Sequence, residues 1–200
     1  MEVLFDPRLL SAYVLVIVLR IADLPSYRRR AEAMARDDGS MEFLRTMSIA
    51  GFGLAFAYRF WLVFDDTVGR AHVLRALDLG PYCIWIGLAF ALGGAWLRNS
   101  AIRALGRNFT RTVQVSVDQT LVETGPYRRL RHPAYTGVIL SGLGVGTVLG
   151  SVVTVAVVLA ALGIGYARRI PVEERAMREI LGDRYRAWTS RTWRLVPFLF

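Results

Sequence analysis

Apolar residues run along this chain in long blocks, and polar residues collect between them. Leu9 to Leu24 is apolar apart from Arg20 and Asp23 and predicts a short first helix. Phe43 to Phe64 predicts a second, interrupted by Arg45 near its start and Arg59 near its end. Pro81 to Leu97 predicts a third, with Pro81 where a helix start tolerates it. From Tyr135 to Ala167 there are 33 residues without a charge. As one helix they would run about 50 Å, well beyond a hydrocarbon core of about 30 Å. A hairpin of two short helices, turning near Gly150-Ser151, fits better. The expected fold is all-α, a polytopic integral membrane protein with about five transmembrane helices including a tight C-terminal hairpin. Residues 1–97 would hold the first three helices and a basic loop, and residues 98–200 the hairpin with its polar flanks. The first span reads as a membrane helix rather than a signal peptide. Only Arg8 precedes it in place of a basic n-region, and no Ala-x-Ala cleavage site follows.

Composition sharpens this picture. The hydrophobic fraction is 54% and aromatics reach 12%, with a mean hydropathy of +0.37 and a pI near 10.5. The 25 basic residues, all Arg, outnumber 16 acidic ones for a net charge of +9. So many apolar residues argue against a soluble domain, and a disordered basic tail could not hold them. Arg placement gives an orientation, since 21 of the 25 fall from Arg20 to Arg45 (between spans one and two or flanking that loop), from Arg98 to Arg131, or from Arg168 to Arg194. By the positive-inside rule the N-terminus is expected outside, with the C-terminus and its polar segments cytoplasmic. A basic face at the membrane edge suits anionic membrane lipids, at about 1 kcal/mol per charge, and argues against nucleic acid as the partner. Cys83, alone, excludes an internal disulfide and a Cys-based zinc site, and His72 and His132 are too few for a metal centre. No metal is expected.

Two polar blocks flank the hairpin. The first runs from Arg98 to Tyr135 and holds Gly106-Arg107-Asn108-Phe109-Thr110, then Gly125-Pro126-Tyr127 and Arg131-His132-Pro133-Ala134-Tyr135-Thr136-Gly137. The second holds Arg168-Arg169-Ile170-Pro171-Val172-Glu173-Glu174, Leu181-Gly182-Asp183-Arg184-Tyr185 and Trp188. Folding the hairpin brings them together at the edge of the hydrocarbon.

This ordered set resembles the isoprenylcysteine carboxyl methyltransferase family and the wider group of membrane phospholipid methyltransferases. The resemblance covers roughly residues 100 to 197, about half of the chain. It implies a membrane enzyme that moves a methyl group from S-adenosyl-L-methionine to a lipophilic acceptor entering from the bilayer. It places Gln114, Gln119, Thr120, Leu121, Val122, Tyr127, His132, Pro133, Ala134, Tyr135 and Glu173 at the cofactor, and Arg169 at the acceptor carboxylate. Gln119 stands where some members carry His. Arg169 and Glu173 are the catalytic pair so implied.

Elementary chemistry supports these roles. The donor carries a cationic amine and a sulfonium, so a carboxylate on its binding side is expected. Arg169 and Glu173 are spaced i, i+4 and would share one helical face, with Pro171 inside that turn as a threat to its regularity. An Arg holds a carboxylate bidentately. A carboxylate acceptor is already nucleophilic at neutral pH, so positioning and desolvation carry much of the rate. An amine acceptor would first lose a proton, and Glu174 or Tyr135 would then be the candidate base.

Each feature also has a plain structural reading. His132 would cap the first hairpin helix, Glu173-Glu174 would be an acidic first turn after Pro171, and Arg168 and Arg59 would snorkel. Gly142-Leu143-Gly144-Val145-Gly146 looks like a nucleotide-binding turn, but it lies in an apolar stretch without a βαβ pattern and reads as close helix packing. Trp188, Trp193 and Phe198 suit an interfacial belt. Two further functions stay open. A sterol-type NADPH reductase would typically read His-Pro-Asn-Tyr-x-Gly-Glu where this chain has Ala134 and Val138. A non-catalytic lipid-binding scaffold would carry a degraded cofactor motif.

Overall fold

The computed structural model describes residues 6–22, 39–68, 77–106 and 121–198. They form five α-helices, α1 Pro7–Ala22, α2 Ser40–Val68, α3 Cys83–Leu105, α4 Pro133–Val148 and α5 Val152–Thr189, with a 3₁₀ turn at Gly125–Arg128. No strand occurs among the described residues, only two isolated bridges, Asp78 to Ser151 and Leu130 to Trp193. The all-α expectation holds. The hairpin turns where its glycine allows, at Leu149-Gly150, and Ser151 caps α5 through its hydroxyl, which accepts from Val153 N at 3.2 Å. Helix α3 starts two residues after Pro81 and continues to Leu105, past the expected end at Leu97.

Two helices are long and apolar enough to cross a membrane, α2 over Ser40–Phe64 and α5, while Pro7–Leu19 and α4 are shorter apolar helices. A soluble core helix passes the same test of length, but it would be mostly buried. The apolar window of α2 is only 11% buried. Trp85 and Trp96 on α3 are 73% and 67% exposed. Apolar surface on this scale facing outward is what lipid, not water, accommodates.

Helix α4 lies between α3 and α5, and α2 runs along α5. Its small residues explain how. A Cβ on Gly144 would sit 2.5 Å from Gly87 O and Ala91 N of α3, and one on Gly87 would sit 2.6 Å from Gly144 O. Gly94 and Gly137 repeat the arrangement two turns further, with a Gly94 Cβ 2.5 Å from Gly137 O. Gly146, on the other side, meets Val155 of α5. The glycine run therefore brings backbones together, which is how helices associate where no hydrophobic effect acts between them.

One end of the bundle is closed by charge. Asp6 Oδ1 caps α1 by accepting from Arg8 N at 3.0 Å and Leu9 N at 2.9 Å, and its Oδ2 accepts from Arg59 Nη2 of α2 at 2.6 Å. Arg8 reaches Asp78 Oδ2 at 2.5 Å and Gly80 O at 3.2 Å, and Leu79 N donates to Gly150 O of the hairpin turn at 3.0 Å. Arg59, expected to snorkel, reaches this end of the bundle and finds a partner there. It is paired, because an unpaired guanidinium inside a span is costly and Asp6 lies within reach.

Gly144→Ala should lower the stability of the folded bundle by more than about 2 kcal/mol, because the added methyl meets backbone that cannot rotate away. Gly163→Ala, with nothing within 4 Å of its Cβ, should leave it unchanged or raise it. Thermal unfolding in detergent compares the two.

Candidate active site

Helix α5 stays helical through Pro171, and its only non-helical backbone is at Gly182, φ 51° and ψ −126°. Arg169 and Glu173 therefore share a face, and both meet Tyr135 of α4. The Tyr135 hydroxyl donates to Glu173 Oε2 at 2.6 Å and accepts from Arg169 Nε at 3.5 Å. Arg169 Nη1 also donates to Ser40 Oγ, at the start of α2, at 2.9 Å. Arg169 and Ser40 are both buried. Tyr135 lies parallel to the His132 ring, centroids 5.3 Å apart, and packs on Tyr166 at 4.6 Å. Neighbouring Arg168 places its guanidinium over the Phe43 ring at 4.9 Å.

Glu174, about 100° further round the helix, faces a different set. Its carboxylate accepts from Arg131 Nη1 at 3.2 Å, Arg178 Nη2 at 3.1 Å, and Arg194 Nε and Nη2 at 3.0 Å each. His132 Nε2 lies 3.3 Å from the same carboxylate, while its Nδ1 is 3.7 Å from Glu173. Glu174 is 1% exposed, where the Glu173 side chain keeps 30%. It lies in the polar continuation of α5 beyond Ala167. Burial alone would raise its pKa, but the hydrogen bonds from His132 and Arg194 outweigh that and hold the carboxyl at about 2. A carboxylate so held does not take up a proton near neutrality. Both of its oxygens are taken up by these donors. The acidic pair is also not a first turn, since it lies well inside α5.

His132 occupies the N-cap position of α4, yet its ring makes no cap; its carbonyl accepts from Tyr135 N and Thr136 N at 3.0 Å, leaving the ring for the glutamates. The segment before it is pinned by the C-terminal tail. Trp193 N donates to Arg129 O at 2.8 Å, Arg131 N to Trp193 O at 2.7 Å, His132 N to Arg194 O at 3.1 Å, and Thr136 Oγ1 to Leu195 O at 2.7 Å. Sequence reasoning missed Ser40, Arg131, Arg194 and this tail. A Ser at a helix start carries no signal for a contact with Arg169. Backbone pairing leaves no mark in side-chain identity.

Beside this network lies a second apolar cluster of Ala101, Leu121, Tyr127, Ala134, Tyr185 and Trp188, with Val122, Met177 and Leu181 against it. Leu121, Val122, Tyr127 and Ala134 are thus neighbours, and Pro133 opens α4 fully buried next to them. Burial pushes the Tyr127 phenol up, so it stays neutral. Gly182 makes the bend that turns Tyr185 and Trp188 inward, in a conformation only glycine adopts readily. Trp188 is 4% exposed and so is no part of an interfacial belt, whereas Trp193 and Phe198 are exposed and packed together at 5.5 Å. Gln114, Gln119, Thr120 and the Asn108-Phe109-Thr110 segment lie outside the described residues.

An all-helical bundle with outward-facing apolar surface thus brings an acidic pair, an Arg-His-Pro segment and an aromatic cluster together at one end. Residues 82–184, just over half of the chain, match the family model described as PEMT, phospholipid methyltransferase, and the chain belongs to that family. A probable protein-S-isoprenylcysteine O-methyltransferase of Oryza sativa subsp. indica is 27% identical over 135 residues, 64% of this chain and 71% of the relative. Protein-S-isoprenylcysteine O-methyltransferase B of Arabidopsis thaliana is 30% identical over 120 residues, 58% of this chain and 61% of the relative. The structure of a eukaryotic intramembrane Ras methyltransferase, isoprenylcysteine carboxyl methyltransferase, superposes with a TM-score of 0.56 at 24% identity. That match covers 83% of this chain and 55% of the other, and it shows a shared fold.

Glu174→Ala should destabilise the protein by about 3 kcal/mol, because His132 and the largely covered Arg131 then keep donors without their carboxylate. Since the folded pKa lies below the usual 4.5, the stability this group supplies is complete above about pH 5 and declines as pH falls toward 2. Unfolding midpoints measured from pH 7 to 3 should drop in the wild type, and the drop should be shallower in Glu174→Gln.

Proposed function

We propose that this chain uses S-adenosyl-L-methionine to methylate the carboxylate of an isoprenylated cysteine, or a similarly lipophilic acceptor that enters from the bilayer. The observation that carries it is the arrangement of Arg169, Tyr135 and Glu173 at the end of the apolar hairpin, a guanidinium and a carboxylate joined through one hydroxyl. The named relatives, all protein-S-isoprenylcysteine O-methyltransferases, favour this acceptor over a reductase's substrate.

The residues present fit such a donor. Glu173 is the more exposed of the two glutamates and offers a carboxylate to a cationic end. Leu121, Val122, Tyr127 and Ala134 offer an apolar, aromatic wall to its nucleoside. When bound, S-adenosylmethionine supplies an electrophilic methyl group on sulfur. On the acceptor side, Arg169 would orient a carboxylate, with Tyr135 and Ser40 holding the guanidinium in place. A carboxylate needs no base, which agrees with Glu174 being locked as an acceptor of hydrogen bonds. Burial at the membrane edge excludes water and strengthens each of these interactions.

The same reading sets the topology. All five helices enter the membrane, and α4 and α5 form a hairpin. The Asp6–Arg59 end lies outside, and the Arg-rich end with the site lies on the cytoplasmic side, as the charge asymmetry favours.

Purified protein should bind S-adenosylhomocysteine, and Glu173→Ala and His132→Ala should each weaken binding by about tenfold or more. Arg169→Ala should keep donor affinity and lose most turnover on a prenylcysteine acceptor. No binding by the wild type in calorimetry would sink the donor assignment. Lost donor affinity with unaffected chemistry in Arg169→Ala would reverse the role given to that residue.

A further inference from the structure

Two buried nitrogen donors at this end of the molecule, Trp188 Nε1 and Arg131 Nε, have no hydrogen-bond partner among the described residues. Arg131 gives one donor, Nη1, to Glu174. Trp188 has only one donor to spend, and a buried N–H left unbonded is disfavoured in a folded protein. Its placement is specific, because it shares one packed cluster with Leu121, Tyr127 and Ala134 and stands 5.6 Å from the Tyr185 ring. The Gly182 bend, a strained conformation for any other residue, brings this part of α5 inward.

From this we infer that the Trp188 indole N–H is a binding donor for the methyl donor's adenine, hydrogen-bonded to one of its ring nitrogens. The inference rests on the preceding reading and extends it to a residue outside the family motif. Indole nitrogen donates and never accepts, so its partner is an acceptor. A flat heterocycle rich in acceptor nitrogens suits a cluster of three aromatic rings and small apolar side chains. The cationic amino-acid end suits Glu173 instead.

Calorimetry with S-adenosylhomocysteine and its 1-deaza, 3-deaza and 7-deaza analogues tests this on the whole protein. Trp188→Phe keeps the ring's bulk and removes the N–H. It should bind the parent compound about tenfold more weakly than wild type while unfolding, without ligand, at the same temperature or higher. One deaza analogue should bind wild type about tenfold more weakly and bind both proteins alike. Equal affinity of both proteins for S-adenosylhomocysteine would overturn the inference and leave the donor assignment standing. No binding by wild type would overturn both. Should Trp188→Phe fail to fold, the analogues on wild type alone decide. Unchanged affinity for all three excludes the contact, and a loss confined to one upholds it.

Discussion

A single buried carboxylate, that of Glu174, holds this end of the molecule in one arrangement. Taking a carboxylate out of water is strongly unfavourable unless donors replace the lost solvent. Arg131 comes from the segment before α4, Arg178 from the next turn of α5, and Arg194 from the C-terminal tail. His132 closes the set. The partners come from three separate pieces of chain, so the one carboxylate ties them together beside the apolar cluster of Tyr127, Ala134, Tyr185 and Trp188. The backbone pairing of residues 129–132 with 193–194 accompanies this, since both segments carry an Arg committed to the same acceptor.

Adjacent glutamates divide two tasks because a helix turns about 100° per residue. Glu174 looks toward the basic segments and is consumed by them. Glu173 looks toward Tyr135 and keeps part of its surface.

Much of the fold could be read from the sequence, since a charge-free run of 33 residues with Gly150-Ser151 at its centre admits few foldings. Gly144 and its neighbours were legible as packing residues for the same reason, because no strand or acidic partner accompanied them. The candidate site was legible where the family resemblance named residues that the structure then brings together, at Tyr135, Arg169 and Glu173. It was illegible where contacts run between distant segments. Arg194 looked like one more basic residue marking the membrane edge, and Trp188 like one more interfacial aromatic. Only the bend at Gly182 and the return of the tail give those residues a different meaning. The partner of Arg59 was not legible because Asp6 lies 53 positions away.

The two charged networks sit at opposite ends of a bundle whose middle is held by glycine contacts, and this division has a physical cause. Ion pairs are least costly where water and headgroups begin, and backbone packing is most useful where hydrocarbon offers no hydrophobic drive between helices. The Asp6–Arg59 and Arg8–Asp78 pairs fix the far end against the Gly150 turn. The Gly87–Gly144 and Gly94–Gly137 contacts then transmit that fixed geometry along α3 and α4, since opposed backbones leave no side chain to rearrange. Tyr135 stands at the near end of α4, half a turn from Gly137. Its hydroxyl is therefore positioned by packing before any ligand arrives. A reaction that depends on aligning two bound molecules in line needs that kind of rigidity more than it needs an acid or a base.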